Sequence, residues 1–222
     1  MPEVFIDRID AGRKLAGNLR QYESGDAIVL AIPRGGVPVA VEVALHLNLS
    51  LDLVVPRKLP IPWNPEAGFG AVTSDGALVL NELMVKELGL SRKRIKEIAN
   101  DVMDEVQRRE RVLRDDLPKI DIKGKQAIIV DDGLASGYTM LAAIRSARQA
   151  GASRIIVAVP VASLSAARII REAADELIIT VQSERLPFAV ADYYLEWHDL
   201  TDTEVLEYLN RYLKEHPDNL PR

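Results

Sequence analysis

Apolar positions along the chain fall into short, nearly continuous runs separated by longer stretches with helical spacing. The runs at 27–32 (AIVLAI), 51–55, 126–130, 154–159 and 176–181 are too short for helices. Their unbroken apolar character suits strands buried on both faces, as in a parallel sheet. Between them, 37–47, 139–150 and 164–173 carry apolar residues at helical intervals, and Gly151 is placed as a helix stop. This alternation predicts an α/β fold: an open, mainly parallel twisted sheet flanked by helices. Segment 11–22 puts Leu15, Leu19 and Tyr22 on one face and reads as an opening amphipathic helix. Thr201-Asp202-Thr203-Glu204 has capping-box spacing and starts a last helix with Val205, Leu206, Leu209 and Leu213 on its apolar side. The tail beyond Lys214 is expected to fray.

Two stretches break the alternation. Residues 81–118 form a charged helical insertion, capped at Ser91 and dense in Lys, Arg, Glu and Asp from Arg92 to Arg114. A solvated surface helix supported by i,i+4 pairs such as Glu105–Arg109 is the plain reading, and a lid or dimer contact is the other. Residues 59–70 (LPIPWNPEAGFG) are rich in proline and are expected to be an irregular loop. Residues 71–80 read as a hairpin turning at Ser74-Asp75-Gly76, so that 58–80 together make a flap. The whole chain, 1–222, is expected to be one domain.

Composition narrows the function. The formal net charge of −5 offers no electrostatic footprint for nucleic acid. With no cysteine, disulfides, thiolate nucleophiles and cysteine-bound zinc are excluded, and three scattered histidines, His46, His198 and His216, make a histidine metal site unexpected. No run reaches the ~20 apolar residues of a membrane span. The first residues lack the basic and apolar regions of a signal peptide. The cytoplasm is therefore the expected location, with no membrane partner.

The chemistry concentrates at 127–140, AIIVDDGLASGYTM. A buried strand ends in Asp131 and Asp132 at the carboxyl edge, where open α/β sheets bind ligands. The turn that follows, Gly133, Leu134, Ala135, Ser136, Gly137, Tyr138 and Thr139, can aim backbone N–H groups inward, and a helix starting near Tyr138 adds its positive end. Ser136 and Thr139 offer hydroxyl donors. Such a nest suits a phosphate, whereas carboxylates repel phosphate and accept hydrogen bonds from paired sugar hydroxyls. Acid pair plus anion nest therefore fits a ribose 5-phosphate. A plain acidic turn shares the Asp-Asp-Gly, and a receiver domain also gathers acids at strand ends, though without need of a glycine-bounded hydroxyl loop. There is neither a Gly-Lys-Ser/Thr phosphate loop nor a G-x-G-x-x-G.

A second loop, Ile32-Pro33-Arg34-Gly35-Gly36, follows the first strand and precedes a helix with Pro38 in its first turn. It is either a plain turn or another anion loop, in which Arg34 supplies a bidentate cation and Gly35 and Gly36 allow close backbone approach. At the end of the second apolar run stands Val55-Pro56-Arg57-Lys58, whose two cations adjoin the proline-rich loop.

VDDGLASGYT resembles the phosphoribosyl-pyrophosphate loop of type I phosphoribosyltransferases, and PRGG and VPRK resemble the pyrophosphate-side loops of that family. Ala135 departs from it, since many members carry a hydroxyl residue there. The resemblance spans about 27–200. It extends to a group of bacterial and archaeal phosphoribosyltransferase-like proteins with VPRK, NPE-x-x-x-GAV and VDDG-x-A-[ST]-G segments, whose acceptor the sequence does not settle.

The resemblance implies transfer of a 5-phosphoribosyl group from phosphoribosyl pyrophosphate to a nitrogenous base, with Mg2+ and release of pyrophosphate. Arg34, Arg57, Lys58, Glu66, Asp131 and Asp132 would be catalytic. Gly35, Gly36, the loop 133–139 and Phe188 would bind substrate, and Asp131 and Asp132 would face the metal through water or ribose hydroxyls. Residues 182–200 would be a small hood over the base, in which Asp192 or Glu196 approaches the metal; the plain reading of the same stretch is that Tyr193, Tyr194 and Trp197 pack the last helix onto the sheet. A homodimer would be the expected assembly. A regulatory protein that binds the same ligand without transfer, or a hydrolase of the same phosphosugar, is the alternative.

Overall fold

The computed structural model describes residues 4–114 and 117–216, without the side chain of Glu66. Five parallel strands form the central sheet: β1 (Ala27–Ala31), β2 (Ser50–Leu53), β6 (Gln126–Val130), β7 (Arg154–Ser163) and β8 (Glu176–Ser183), in the order β2-β1-β6-β7-β8. The predicted α/β class and each predicted strand are present. Three more strands, β3 (Pro56–Ile61), β4 (Asn64–Thr73) and β5 (Leu78–Leu80), make a separate antiparallel sheet.

Two helical layers cover the central sheet, and strand alternation assigns its residues to them. Ala27, Val29, Ala31, Ile128 and Val130 pack with α1 (Arg8–Gly17), α2 (Gly36–Leu47) and α7 (Asp202–Glu215). Ile28, Leu30, Ala127, Ile129, Ile155 and Val157 pack with α5 (Tyr138–Gln149) and α6 (Leu164–Ala173). Burial on both faces explains why these strands read as continuous apolar runs. The opening helix is shorter than its pattern: α1 ends at Gly17, and Arg20–Tyr22 form a separate turn of 3-10 helix. The capping box holds, with Thr201 Oγ1 accepting from Glu204 N at 3.2 Å and Thr201 N donating to Glu204 Oε2 at 2.8 Å.

Three expectations are corrected in the region 56–114. Residues 59–70 are not an irregular loop but most of a β3–β4 hairpin turning at Pro62–Trp63, with register shifts beside Pro60. Prolines are tolerated because β3 is an edge strand, where an absent N–H breaks no ladder on the open side. Arg57 and Lys58 consequently lie on β3 rather than at the end of β2. The charged stretch contains α3 (Glu82–Glu87) and α4 (Arg92–Arg114), and α4 buries Ile95, Ile98, Ala99, Val102, Val106 and Leu113 against the core. Glu105 and Arg109 do not pair with each other: Glu105 holds Arg57 at 3.1 Å and Arg109 holds Asp202 at 3.0 Å. Ser91 does cap α4, accepting from Arg94 N at 3.2 Å.

Asp52, buried within β2, fixes this region to the central sheet. Its carboxylate accepts from Arg114 at 2.5 Å, from Ile120 N at 2.9 Å and from Leu53 N at 2.6 Å. Among the described residues, no helix is long and apolar enough to cross a membrane.

Candidate active site

The carboxyl edge of the central sheet gathers the acid pair and both glycine loops. Asp131 and Asp132 follow β6 directly. Asp131 Oδ1 accepts from Asp132 N at 2.9 Å, and Asp132 Oδ2 accepts from Arg8 Nε at 2.9 Å. Arg8 is 7% exposed. Its Nη1 donates to the His198 carbonyl at 3.0 Å, and its guanidinium lies 3.9 Å from the centre of the Trp197 ring. Tyr194 completes the enclosure by donating its hydroxyl to the Asp132 carbonyl at 2.6 Å. Burial, and then the neighbouring Asp132 charge, push Asp131 well above the usual carboxylate range. Burial raises Asp132 as well, with Arg8 opposing it. Apart from these bonds the two carboxyl groups meet each other, in a side-chain hydrogen bond that needs a proton on one of them.

The loop after the acid pair is pinned to β7. Leu134 N donates to the Val161 carbonyl at 2.9 Å, Ser163 N to the Leu134 carbonyl at 2.9 Å, and Ser163 Oγ to the Ala135 carbonyl at 2.8 Å. Ala135 and Ser136 stay exposed, and Tyr138 and Thr139 are half-buried. Gly137 turns the chain into α5 at φ +82°, a conformation that side chains resist. The N-terminal amides of α5 therefore face the same edge as the acids. At Gly133 a methyl group would stand 2.7 Å from Val190, so the segment 190–194 roofs the loop.

The loop at 33–36, with a cis Pro33–Arg34 peptide, touches the acid pair. An ideal Cβ on Gly35 would fall 1.9 Å from Asp132 Oδ2, and one on Gly36 would fall 2.8 Å from both Asp131 Cα and the Val130 carbonyl. These contacts require glycine. Arg34 is half-exposed and lies 3.8 Å from Asp202, at the start of α7, where Arg109 also binds.

The other expected residues are more dispersed. Arg57 pairs with Glu105 on α4, and Lys58 lies exposed next to it on β3. Phe188 is half-buried and tilted against Tyr193 with ring centres 5.6 Å apart. Asp192 and Glu196 are exposed. The side chain of Glu66 lies outside the described residues. Tyr193, Tyr194 and Trp197 do not pack the last helix onto the sheet as expected: they cluster with Phe5, Ala11 and Val161, and Tyr193 donates to Ser183 while Tyr194 holds Asp132. Arg8 and Ser163 escaped the sequence reading. Ser163 caps α6 by accepting from Ala166 N, a signal that Ser before LSAARII carried, whereas nothing local marks Arg8.

Residues 73–194 match the phosphoribosyl transferase domain family, and this span holds the acid pair, the loop and the 182–194 part of the expected hood. The chain belongs to the type I phosphoribosyltransferase family. It is 39% identical over 209 residues to a Mycobacterium tuberculosis H37Rv protein named "Putative phosphoribosyl transferase Rv0571c". That alignment covers 94% of this chain and 47% of the relative, so the chain spans about half the length of the curated relatives it matches. Among solved structures, TT1426 from Thermus thermophilus is 36% identical with a TM-score of 0.79, covering 94% of this chain and 99% of that one. A hypoxanthine phosphoribosyltransferase from Staphylococcus aureus shares the fold at 10% identity, with a TM-score of 0.50 over 90% of this chain and 85% of that one.

A hard cation fits beside Asp131 and Asp132 through water or ribose hydroxyls, since Mg2+ takes few protein ligands when substrate oxygens and water complete its shell. Among the described residues no group of three or more His, Asp or Glu side chains is placed to cage a metal.

Proposed function

We propose that this phosphoribosyltransferase binds phosphoribosyl pyrophosphate with Mg2+ and transfers the 5-phosphoribosyl group to a nitrogenous base, releasing pyrophosphate. The observation that carries this reading is the contact between Gly35 and Asp132, which brings the arginine-glycine loop and the acid loop side by side. A single ligand with a phosphate, a diol and a pyrophosphate can then span both loops.

In this reading the loop 133–139 and the start of α5 hold the 5-phosphate through backbone N–H groups, Ser136 and Thr139. Asp131 and Asp132 accept from the two ribose hydroxyls. Gly35 and Gly36 let the pyrophosphate approach the backbone, and Arg34 turns from Asp202 to its oxygens. Arg57 and Lys58 face it from β3, and Glu66 serves the acceptor nitrogen from β4. Phe188 lies in the segment that covers the base. Asp131 and Asp132 would hold Mg2+ through water or ribose hydroxyls, and the cation would supply charge neutralisation for the departing pyrophosphate. Catalysis is then mainly placement and electrostatics, because bond breaking at C1 develops positive charge on the sugar and negative charge on the leaving group.

One observation favours a second reading. Arg34 and Arg57 each lie beside a protein carboxylate, at 3.8 and 3.1 Å, as suits a protein that binds the ligand without turnover. The deciding experiment titrates phosphoribosyl pyrophosphate and Mg2+ into the wild type and an Asp131→Asn, Asp132→Asn double variant, then screens common purine and pyrimidine bases for pyrophosphate release. Binding lost in the variant and release stimulated by one base establish the transferase. Binding without stimulated release establishes the second reading, release without any base identifies a hydrolase, and absence of binding removes all three.

A further inference from the structure

Arg8 lies outside every motif of the site, yet it meets the acid pair directly. Three contacts fix its guanidinium: Nε on Asp132 Oδ2 at 2.9 Å, Nη1 on the His198 carbonyl at 3.0 Å, and its flat face on Trp197 at 3.9 Å. With 7% of its surface exposed, it is a fixture of the site rather than a mobile surface cation. Its position decides which oxygens remain available. Asp132 Oδ2 is held by Arg8 and Asp131 Oδ1 by the Asp132 amide, so the acceptors for a ligand are Asp132 Oδ1 and Asp131 Oδ2, and the hydrogen bond between the two carboxyl groups must open for them to take a diol. Two acceptors on adjacent residues match the two donors of a vicinal diol. A fixed cation also offsets the repulsion between two adjacent, largely enclosed carboxylates.

We propose that Arg8 is the positioning residue of the acid pair: it locks Asp132 so that Oδ1 receives a ribose hydroxyl, and it ties that capture to the aromatic segment 194–198. The inference rests on reading the site as one for a 5-phosphoribosyl group. A guanidinium suits the task better than an ammonium, because its planar fork can hold a carboxylate and a carbonyl at once while stacking on an indole. Tyr194 works from the other side, anchoring the Asp132 backbone while Arg8 anchors its side chain.

The test compares wild type, Arg8→Met and Arg8→Lys, titrating each separately with ribose 5-phosphate and with inorganic pyrophosphate in the presence of Mg2+, alongside thermal melts. Arg8→Met is expected to weaken ribose 5-phosphate about 10- to 100-fold, the scale of one charge-assisted hydrogen bond. Pyrophosphate, which needs no diol acceptor, should change by less than about twofold. Arg8→Lys should recover part of the ribose 5-phosphate loss. Equal weakening of both ligands together with a lowered Tm would show a structural staple and overturn the proposal, as would unchanged ribose 5-phosphate affinity. Wild type that binds no ribose 5-phosphate would instead remove the phosphoribosyl reading itself. Should Arg8→Met fail to fold, Trp197→Leu keeps the ion pair and removes the stack. A selective ribose 5-phosphate loss of about 3- to 10-fold is expected there, and no loss overturns the link to the aromatic segment.

Discussion

Gly35 and Asp132 occupy one another's space: a methyl group on the glycine would overlap the carboxylate oxygen at 1.9 Å, the oxygen that Arg8 already holds. The two loops therefore meet without a side chain between them, and neither can change alone.

Gly35→Ala is accordingly expected to fold and to bind poorly. The added methyl must rotate Asp132 away from Arg8, with an overpacking cost of about 1–3 kcal/mol. A lowered melting temperature, with phosphoribosyl pyrophosphate affinity reduced at least ~10-fold by the lost ion-pair geometry, is the expected calorimetric result. Wild-type affinity in this variant would mean that the loops part on binding.

Arg34→Ala should separate stability from activity. Its contact with Asp202 is long and exposed, at 3.8 Å, and such pairs contribute at most about 1 kcal/mol. Turnover, by contrast, should fall ~10²-fold or more, as when one donor to a developing negative charge is removed. Steady-state kinetics with melting curves on the same samples test both halves, and unchanged turnover would remove Arg34 from the leaving-group site.

Asp131→Asn should raise the melting temperature at neutral pH while abolishing sugar binding. Burial and the Asp132 charge raise the folded-state pKa of Asp131 above its unfolded value. Between those two values the folded protein binds more protons than the unfolded chain, so stability falls as pH rises through the window. The gain in the variant should therefore grow as pH rises above the unfolded value and vanish as pH drops below about 4, the usual carboxylate value. A variant less stable than wild type at pH 7 would show that the native contacts of the ionised carboxylate outweigh its burial.

Asp52→Ala tests the anchor under the second sheet. The change takes one of two carboxylate partners from the mostly buried Arg114, which keeps Glu110 at 3.0 Å, and leaves the amides of Leu53 and Ile120 without their acceptor, at a cost of about 1–3 kcal/mol. Urea denaturation should show this loss, and a change below about 1 kcal/mol would mean that water replaces the lost partners.

The sequence made some of these features plain and hid others for identifiable reasons. The strands of the central sheet were legible because both faces are buried, which leaves an unbroken apolar signature at 27–31 and 127–130. Asp131 and Asp132 stood out because acids at the end of such a run have no place in a core. The β3–β4 hairpin was hidden by Pro60, Pro62 and Pro65, since composition does not reveal that the first falls on an edge strand, the second in the turn, and the third on the part of β4 that β5 does not pair. The spacing of Glu105 and Arg109 says that they share a helix face, but it is silent on β3 and α7, which supply Arg57 and Asp202 as partners. Arg8 lies 124 positions from Asp132 and 190 from His198, and no local pattern encodes a contact over such separations.

Those separations bear on synthesis. The ribosome releases the acid loop long before it releases Trp197 and His198, so a nascent chain can form β1 and β6 while the clasp around Asp132 is still incomplete. Contacts of such long range form late and slowly. If Arg8 completes the site as proposed, a partly made chain holds the sugar phosphate only weakly, and full binding competence marks a chain translated past Trp197 and His198.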